Sequence, residues 1–226
     1  MIISFSDVSK SFGSINALSD VSFKIESGEF VFLTGPSGSG KTTIIRLLLR
    51  EYLPTKGTIE VGNWNLGKIR EKEVPKFRQK IGVVFQDFKL LADRTIFENI
   101  ALGLDVQGKL GPESDQKITE VLDLTGLTPR ANLFPAQLAG GELQRTCLAR
   151  AVVTHPQILL ADEPTGNLDV TTSWQIIKLI RKINKMGTTV LMVTHNVDIV
   201  NSFRDRVLLL KGGKLIKDQK SGRYEF

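Results

Sequence analysis

Eight consecutive residues, Gly35-Pro36-Ser37-Gly38-Ser39-Gly40-Lys41-Thr42, hold the densest chemistry in the chain. Glycines at the first and sixth places, followed by Lys and Thr, form a phosphate cradle. Without side chains in the way, successive main-chain N–H groups can converge on phosphate oxygens, and a helix starting at the loop adds positive potential. Lys41 then reaches the outer phosphates, and the Thr42 hydroxyl is a Mg²⁺ ligand. Given ordinary glycine, lysine and hydroxyl usage, chance supplies such a match in a chain of this length only about 1% of the time.

Two further clusters fit the same chemistry. Ile158-Leu159-Leu160-Ala161 runs apolar into Asp162-Glu163, and carboxylates at the end of a buried strand are costly unless a cation is near. Asp162 would hold Mg²⁺ through its water shell, and Glu163 would orient or deprotonate an attacking water. Leu138-Ala139-Gly140-Gly141-Glu142 opens a helix carrying Leu143, Cys147, Leu148 and Ala151, so its glycine amides make a second anion site. Two phosphate-binding ends in one chain make sense if a second copy completes each site.

The elements that must position these residues follow from periodicity. Short β-rich runs, Ile2–Phe5, Val21–Ile25 and Glu29–Leu33, predict an antiparallel sheet feeding a buried strand ahead of the cradle. Ile44, Leu47 and Leu48 then mark one helical face, with Arg46 and Arg50 among the polar positions. Residues 87 to 153 read as mainly helical, with Pro112 opening a helix that buries Ile118, Val121 and Leu122 and ends near Gly126. From Gln157 the order is strand, helix, strand. The helix carries Ile176, Leu179, Ile180 and Ile183, with Asp169 as N-cap and Gly187 as stop, and Val190–Val193 follows. Apolar strands alternating with helices predict a parallel sheet covered on both faces. A final hairpin is expected to pair Val207–Leu210 with Lys214–Ile216 around Gly212-Gly213.

Composition narrows the class. The 226 residues are 41% hydrophobic and 24% charged, which excludes disordered and collagenous chains. Cys147 is the single cysteine, so no internal disulfide framework is possible and a reducing compartment is expected. No run approaches the ~20 apolar residues of a membrane span, and the start lacks a secretory leader pattern. The expectation is a cytoplasmic protein whose role at a membrane is peripheral. The net charge of +6 is local: residues 68–80 and 204–226 contribute +4 each and the remainder −2. These basic clusters are membrane-facing, partner-facing or solvated surfaces. Trp64 and Trp174 suit either core or interface, while His155 reads as loop and Cys147 as helix packing.

The combination resembles an ATP-binding cassette (ABC) ATPase over nearly the whole chain, with residues 35–42 as its Walker A, 138–142 as its signature and 158–163 as its Walker B. The resemblance implies a P-loop α/β fold: a parallel-sheet core with an N-terminal antiparallel β-subdomain (about 1–86 and 154–226) and an inserted α-helical signature subdomain (about 87–153). It implies that ATP is held by Phe12, stacking on adenine, and by Gly35, Pro36, Ser37, Gly38, Ser39, Gly40, Lys41, Thr42 and Thr43. Mg²⁺ falls to Thr42, Gln86 and Asp162, and catalysis to Glu163, His195 and Gln86. Leu138, Ala139, Gly140, Gly141 and Glu142 would act across a head-to-tail homodimer, beside the D-loop Asn167, Leu168 and Asp169. Asp162-Glu163-Pro164-Thr165-Gly166-Asn167-Leu168-Asp169 is similar to the branch serving lipoprotein-release, macrolide- or peptide-export and cell-division systems, and residues 73–95 are most similar to the cell-division members. An integral membrane permease and other division proteins are the implied partners, and no nucleic acid is expected. Residues 87–100 would form much of the docking surface, where Phe88, Leu90 and Leu91 are either contacts or packing. Two residues depart from the family pattern: Ala139 stands where a serine is usual, and Phe12 where tyrosine is common.

Overall fold

Alternation within three apolar strands divides the interior in two. In β3 (Phe30–Thr34), Phe30 and Phe32 face one hydrophobic core, and Val31 and Leu33 face the other. β7 (Ile158–Asp162) sends Leu159 and Ala161 to the first core and Ile158 and Leu160 to the second, and β8 (Thr189–Val193) divides in the same way. Strands buried on both faces belong in a parallel sheet. With β6 (Ile81–Val84) and β9 (Arg206–Lys211) they form parallel neighbours in the order β9-β3-β8-β7-β6. The expected hairpin adds β10 (Lys214–Gln219) antiparallel at the β9 edge, turning through Gly212 and Gly213, both at positive φ.

The computed structural model describes residues 1–222. Arg223 and Glu225, counted in the charge of the tail, lie outside the described residues. A second, antiparallel sheet has the order β2-β1-β4-β5, built from β1 (Ile3–Phe12), β2 (Ile15–Ile25), β4 (Lys56–Val61) and β5 (Trp64–Asn65). Its apolar face shares the second core with α1 (Lys41–Leu48), which buries Ile44, Ile45, Leu47 and Leu48. The first core holds α3 (Ile96–Asp105), α4 (Ser114–Thr125), α5 (Gly140–Val152) and α6 (Val170–Lys185). Two short helices, α2 (Val74–Arg78) and α7 (Val197–Phe203), complete the chain.

Asp169 does cap α6, accepting from the Thr172 N–H at 2.9 Å, and Gly187 follows its last turn at φ 103°. Pro112 does not open α4. It lies in the preceding turn, where the Ser114 hydroxyl hydrogen-bonds the Gly111 backbone and the helix begins at Ser114. Both tryptophans are half-buried, Trp64 packing on Phe77 and Trp174 on Phe203, with ring centroids 6.0 and 5.7 Å apart. Cys147 is buried, and burial pushes its thiol up to about 12, which suits packing. Phe88 and Leu90 pack against the first core, whereas Leu91 is exposed. No helix among the described residues is long and apolar enough to cross a membrane.

Candidate nucleotide site

Parallel α/β sheets place their ligands beyond the carboxyl ends of the strands, and four such ends converge here. β3 runs into Gly35, β6 into Phe85-Gln86, β7 into Asp162-Glu163 and β8 into Thr194-His195. Together with Ser37, Lys41, Thr42 and Thr43 these ends line a cleft of about 710 Å³. Gly35 at φ 142° has no room for a side chain, since a Cβ would meet the Leu210 carbonyl oxygen at 2.1 Å. Gly40, at φ 105°, takes the N-cap position of α1. The loop therefore turns tightly enough to present its N–H groups and the start of α1 to one point.

Lys41 folds over this loop, donating from Nζ to the Gly35 and Pro36 carbonyls at 2.7 and 2.9 Å. Burial pulls its pKa down, while Glu163 and Asp162 oppose the fall. Asp162 shows the converse. Burial, then the Glu163 carboxylate, pushes its carboxyl above the usual range, and Lys41 and Arg46 only partly offset this. Glu163 leaves β7 at φ 49°, fixed by its N–H to the Val193 carbonyl at 3.0 Å. That turn brings Glu163 Oε1 to 2.9 Å from His195 Nδ1, with the imidazole otherwise exposed.

Ser39 Oγ is buried with no hydrogen-bond partner. Phe12 ends β1 exposed, its ring edge-on to Tyr52 and capped by Lys10 Nζ 4.8 Å from the centroid. It is not one of the lining residues. The lining instead includes Ile15, Asn16 and Ala17 at the start of β2, which no local motif marks and which only the antiparallel pairing brings to the cradle.

The remaining motif residues form a separate cleft of about 480 Å³. Ala139, Gly140, Gly141 and Glu142 at the start of α5 face Asn167, Leu168, Asp169 and Thr172; Leu138 packs against the first core. Glu142 reaches back to the Ala139 N–H at 3.0 Å and takes the Arg130 guanidinium at 2.9 Å. Arg130 and the Ala139 N–H hold its carboxyl low. Asp169 is likewise held low, by the Thr172 hydroxyl and N–H. A hydrogen bond links the two clefts: the Asn167 amide donates to the Gln86 carbonyl at 3.4 Å.

The family model described as "ABC transporter" matches residues 18–166. The chain is 49% identical to the cell division ATP-binding protein FtsE of Bacillus subtilis (strain 168), over 93% of this chain and 92% of that protein. It is 42% identical to FtsE of Escherichia coli (strain K12), over 95% and 97% respectively. Among solved structures, a dimeric bacterial ABC transporter cassette superposes with a TM-score of 0.87 at 36% identity, covering 98% of this chain and all of that one. The same cassette in a post-hydrolysis state with ADP and Pi gives 0.85 at 35%. The chain matches these proteins nearly end to end, and it belongs to the ABC transporter family as one of its ATP-binding cassettes.

Proposed function

We propose that this chain does the work of FtsE: an ATP-hydrolysing subunit, peripheral on the cytoplasmic face of the membrane, that drives an FtsX-like permease regulating peptidoglycan hydrolases. The observation that carries the hydrolytic part is the Glu163–His195 pair, 2.9 Å apart at the mouth of the cleft that Lys41 closes. ATP phosphates would displace the Gly35 and Pro36 carbonyls from Lys41 and accept from the loop N–H groups between Gly35 and Thr43. Glu163 would accept hydrogen from the attacking water, with His195 holding that carboxylate in place and facing the outer phosphate. Phe12, exposed at the end of β1, would stack on the base.

The donors present fit Mg²⁺. Asp162 is a half-buried carboxylate at the end of β7, and it lines the same cleft as the Thr42 hydroxyl and the Gln86 amide. No group of three or more His, Cys, Asp or Glu placed to hold a metal occurs among the described residues, which suits an ion completed by phosphate oxygens and water. When bound, Mg²⁺ would neutralise charge on the phosphates.

Supporting a homodimer, the signature residues 139–142 and D-loop residues 167–169 line a cleft of their own rather than the cradle. A second copy, arranged as in the dimeric cassette, would bring each signature to the other's ATP. Residues 87–153 are proposed as the helical unit that carries it, and 87–100 as the partner-facing edge.

Glu163→Gln keeps the shape and removes the base. Phosphate release is expected to fall by at least ~10²-fold, while ATP binding persists and sedimentation shows an ATP-dependent dimer. Turnover equal to the parent's would refute the assignment.

A further inference from the structure

Between β6 and α3 the chain passes through Phe88 and Lys89, each at φ 51°. Neither is glycine. A Cβ crowds the carbonyl oxygen in this left-handed region, a cost that shifts local populations by roughly 5- to 30-fold per residue. Two such residues in succession persist only where the surroundings hold them.

One face of α5 supplies that hold. The Arg150 guanidinium donates through Nη2 to the Phe88 carbonyl at 3.0 Å and through Nη1 to the Lys89 carbonyl at 2.7 Å. The Cys147 thiol, one turn earlier, donates to the same Phe88 carbonyl at 3.0 Å. The Phe88 ring packs against the core, and Lys89 Nζ lies 4.0 Å from the centroid of the Phe85 ring. α5 starts at the second cleft with Gly140, while Gln86, two residues before the strained turn, lines the first. One helix is thus bonded to both: through its own first turn to the signature cleft, and through the Arg150 fork to the main chain that carries Gln86.

We propose that Arg150 is a positioning residue for ATP hydrolysis, clamping the Phe88–Lys89 turn to the signature helix and so fixing where Gln86 stands in the ATP cleft. The inference rests on the role given above to Gln86. Arg150 touches no reacting atom and acts through two carbonyls. A lysine would keep the charge but lose the planar fork that spans them.

The test uses the full chain and two readouts: steady-state phosphate release, and hydrogen exchange at the amides of residues 87–91 without nucleotide. Arg150→Gln should lower kcat by roughly 5- to 30-fold, the cost of an unsupported left-handed residue. KM for ATP should move less than about 2-fold because the cradle is untouched. Exchange at 87–91 should quicken. Adding Lys89→Gly, which adopts positive φ without strain, should restore kcat to within about 3-fold of the parent. Adding Lys89→Ala, which removes the same side chain and keeps the strain, should not.

If Arg150→Gln does not fold, Arg150→Lys is read in the same way, with a smaller kcat loss that Lys89→Gly again repairs. The proposal is overturned if kcat is unchanged in a parent that hydrolyses ATP, if Ala restores activity as well as Gly, or if exchange at 87–91 is unaltered. A parent with no hydrolysis would overturn the function proposed above, and the exchange readout would still decide the clamp.

Discussion

Burial at the end of β7, with the Glu163 carboxylate beside it, pushes the Asp162 carboxyl above its usual 3.8. A carboxyl whose folded pKa is raised stabilises the fold only while protonated, and that contribution is lost as pH rises through the folded value. At neutral pH, without nucleotide, ionised Asp162 is therefore a liability. Asp162→Asn is expected to raise the melting temperature by a few degrees at pH 7 to 8 while abolishing Mg²⁺-dependent hydrolysis, an exchange of activity for stability. The difference from the parent should shrink as pH falls through the raised value and Asp162 takes up its proton. Melts across that range would show a constant or negative difference if the site did not carry this cost. Lys41, Asp162, Glu163 and His195 were legible because each follows a recognisable strand within a few residues. Arg150 was not, since nothing in Leu-Ala-Arg-Ala marks it as the support of a turn some 60 residues earlier.

Among the elements, the passage from β6 to α3 shows how a segment without regular structure is held. Asn99, fully buried one turn into α3, donates to the carbonyls of Leu91, Arg94 and Thr95 and accepts the Leu91 N–H at 2.8 Å. The helix itself is begun by Thr95 and Glu98, each covering the other's backbone N–H. Asn99→Ala would leave the Leu91 N–H and the three carbonyls short of partners, with an expected loss of about 2–3 kcal/mol in urea unfolding. A loss below about 0.5 kcal/mol, the size of an ordinary surface change, would show that the passage is held by other contacts. Strand and helix identities were readable wherever apolar periodicity ran for a full element, as in α6 and β8. The Pro112 turn was misread as a helix start because the proline rule is local, whereas the competing Ser114–Gly111 contact depends on how the turn closes. The antiparallel sheet was legible as a class, but its long register was not. Pairing Ile3 with both Ile25 and Val61 is a tertiary choice, and that choice carries Ile15 to Ala17 to the cradle.

At the scale of the whole molecule, the basic clusters proved partly structural. Arg70 takes Glu73, Arg78 donates to the Leu49 carbonyl, and Arg206 binds Glu29 and Asp218. These pairs use acids already counted in the net charge of +6, so they leave that charge unchanged and fix where the guanidinium groups point. The more consequential departure is Ala139, at the N-cap of α5 on the second cleft. In a head-to-tail pair a serine there would add a hydroxyl toward the other copy's outermost phosphate, a charge-assisted bond of ~1.5–3 kcal/mol. Ala139→Ser is expected to raise turnover, or the dimer fraction of Glu163→Gln at sub-saturating ATP. Equal values of both would remove the argument. A melt without nucleotide separates this from simple helix capping.

The separation of the two clefts also has a consequence for inheritance. If each working centre joins the cradle of one copy to the signature of another, a chain damaged in either cleft spoils a shared centre even when its companion is sound. A faulty allele is then felt in the presence of a good one. Two alleles damaged in opposite clefts, one at Lys41 and one at Gly141, would rebuild one intact centre between them, so defects fatal alone can complement each other.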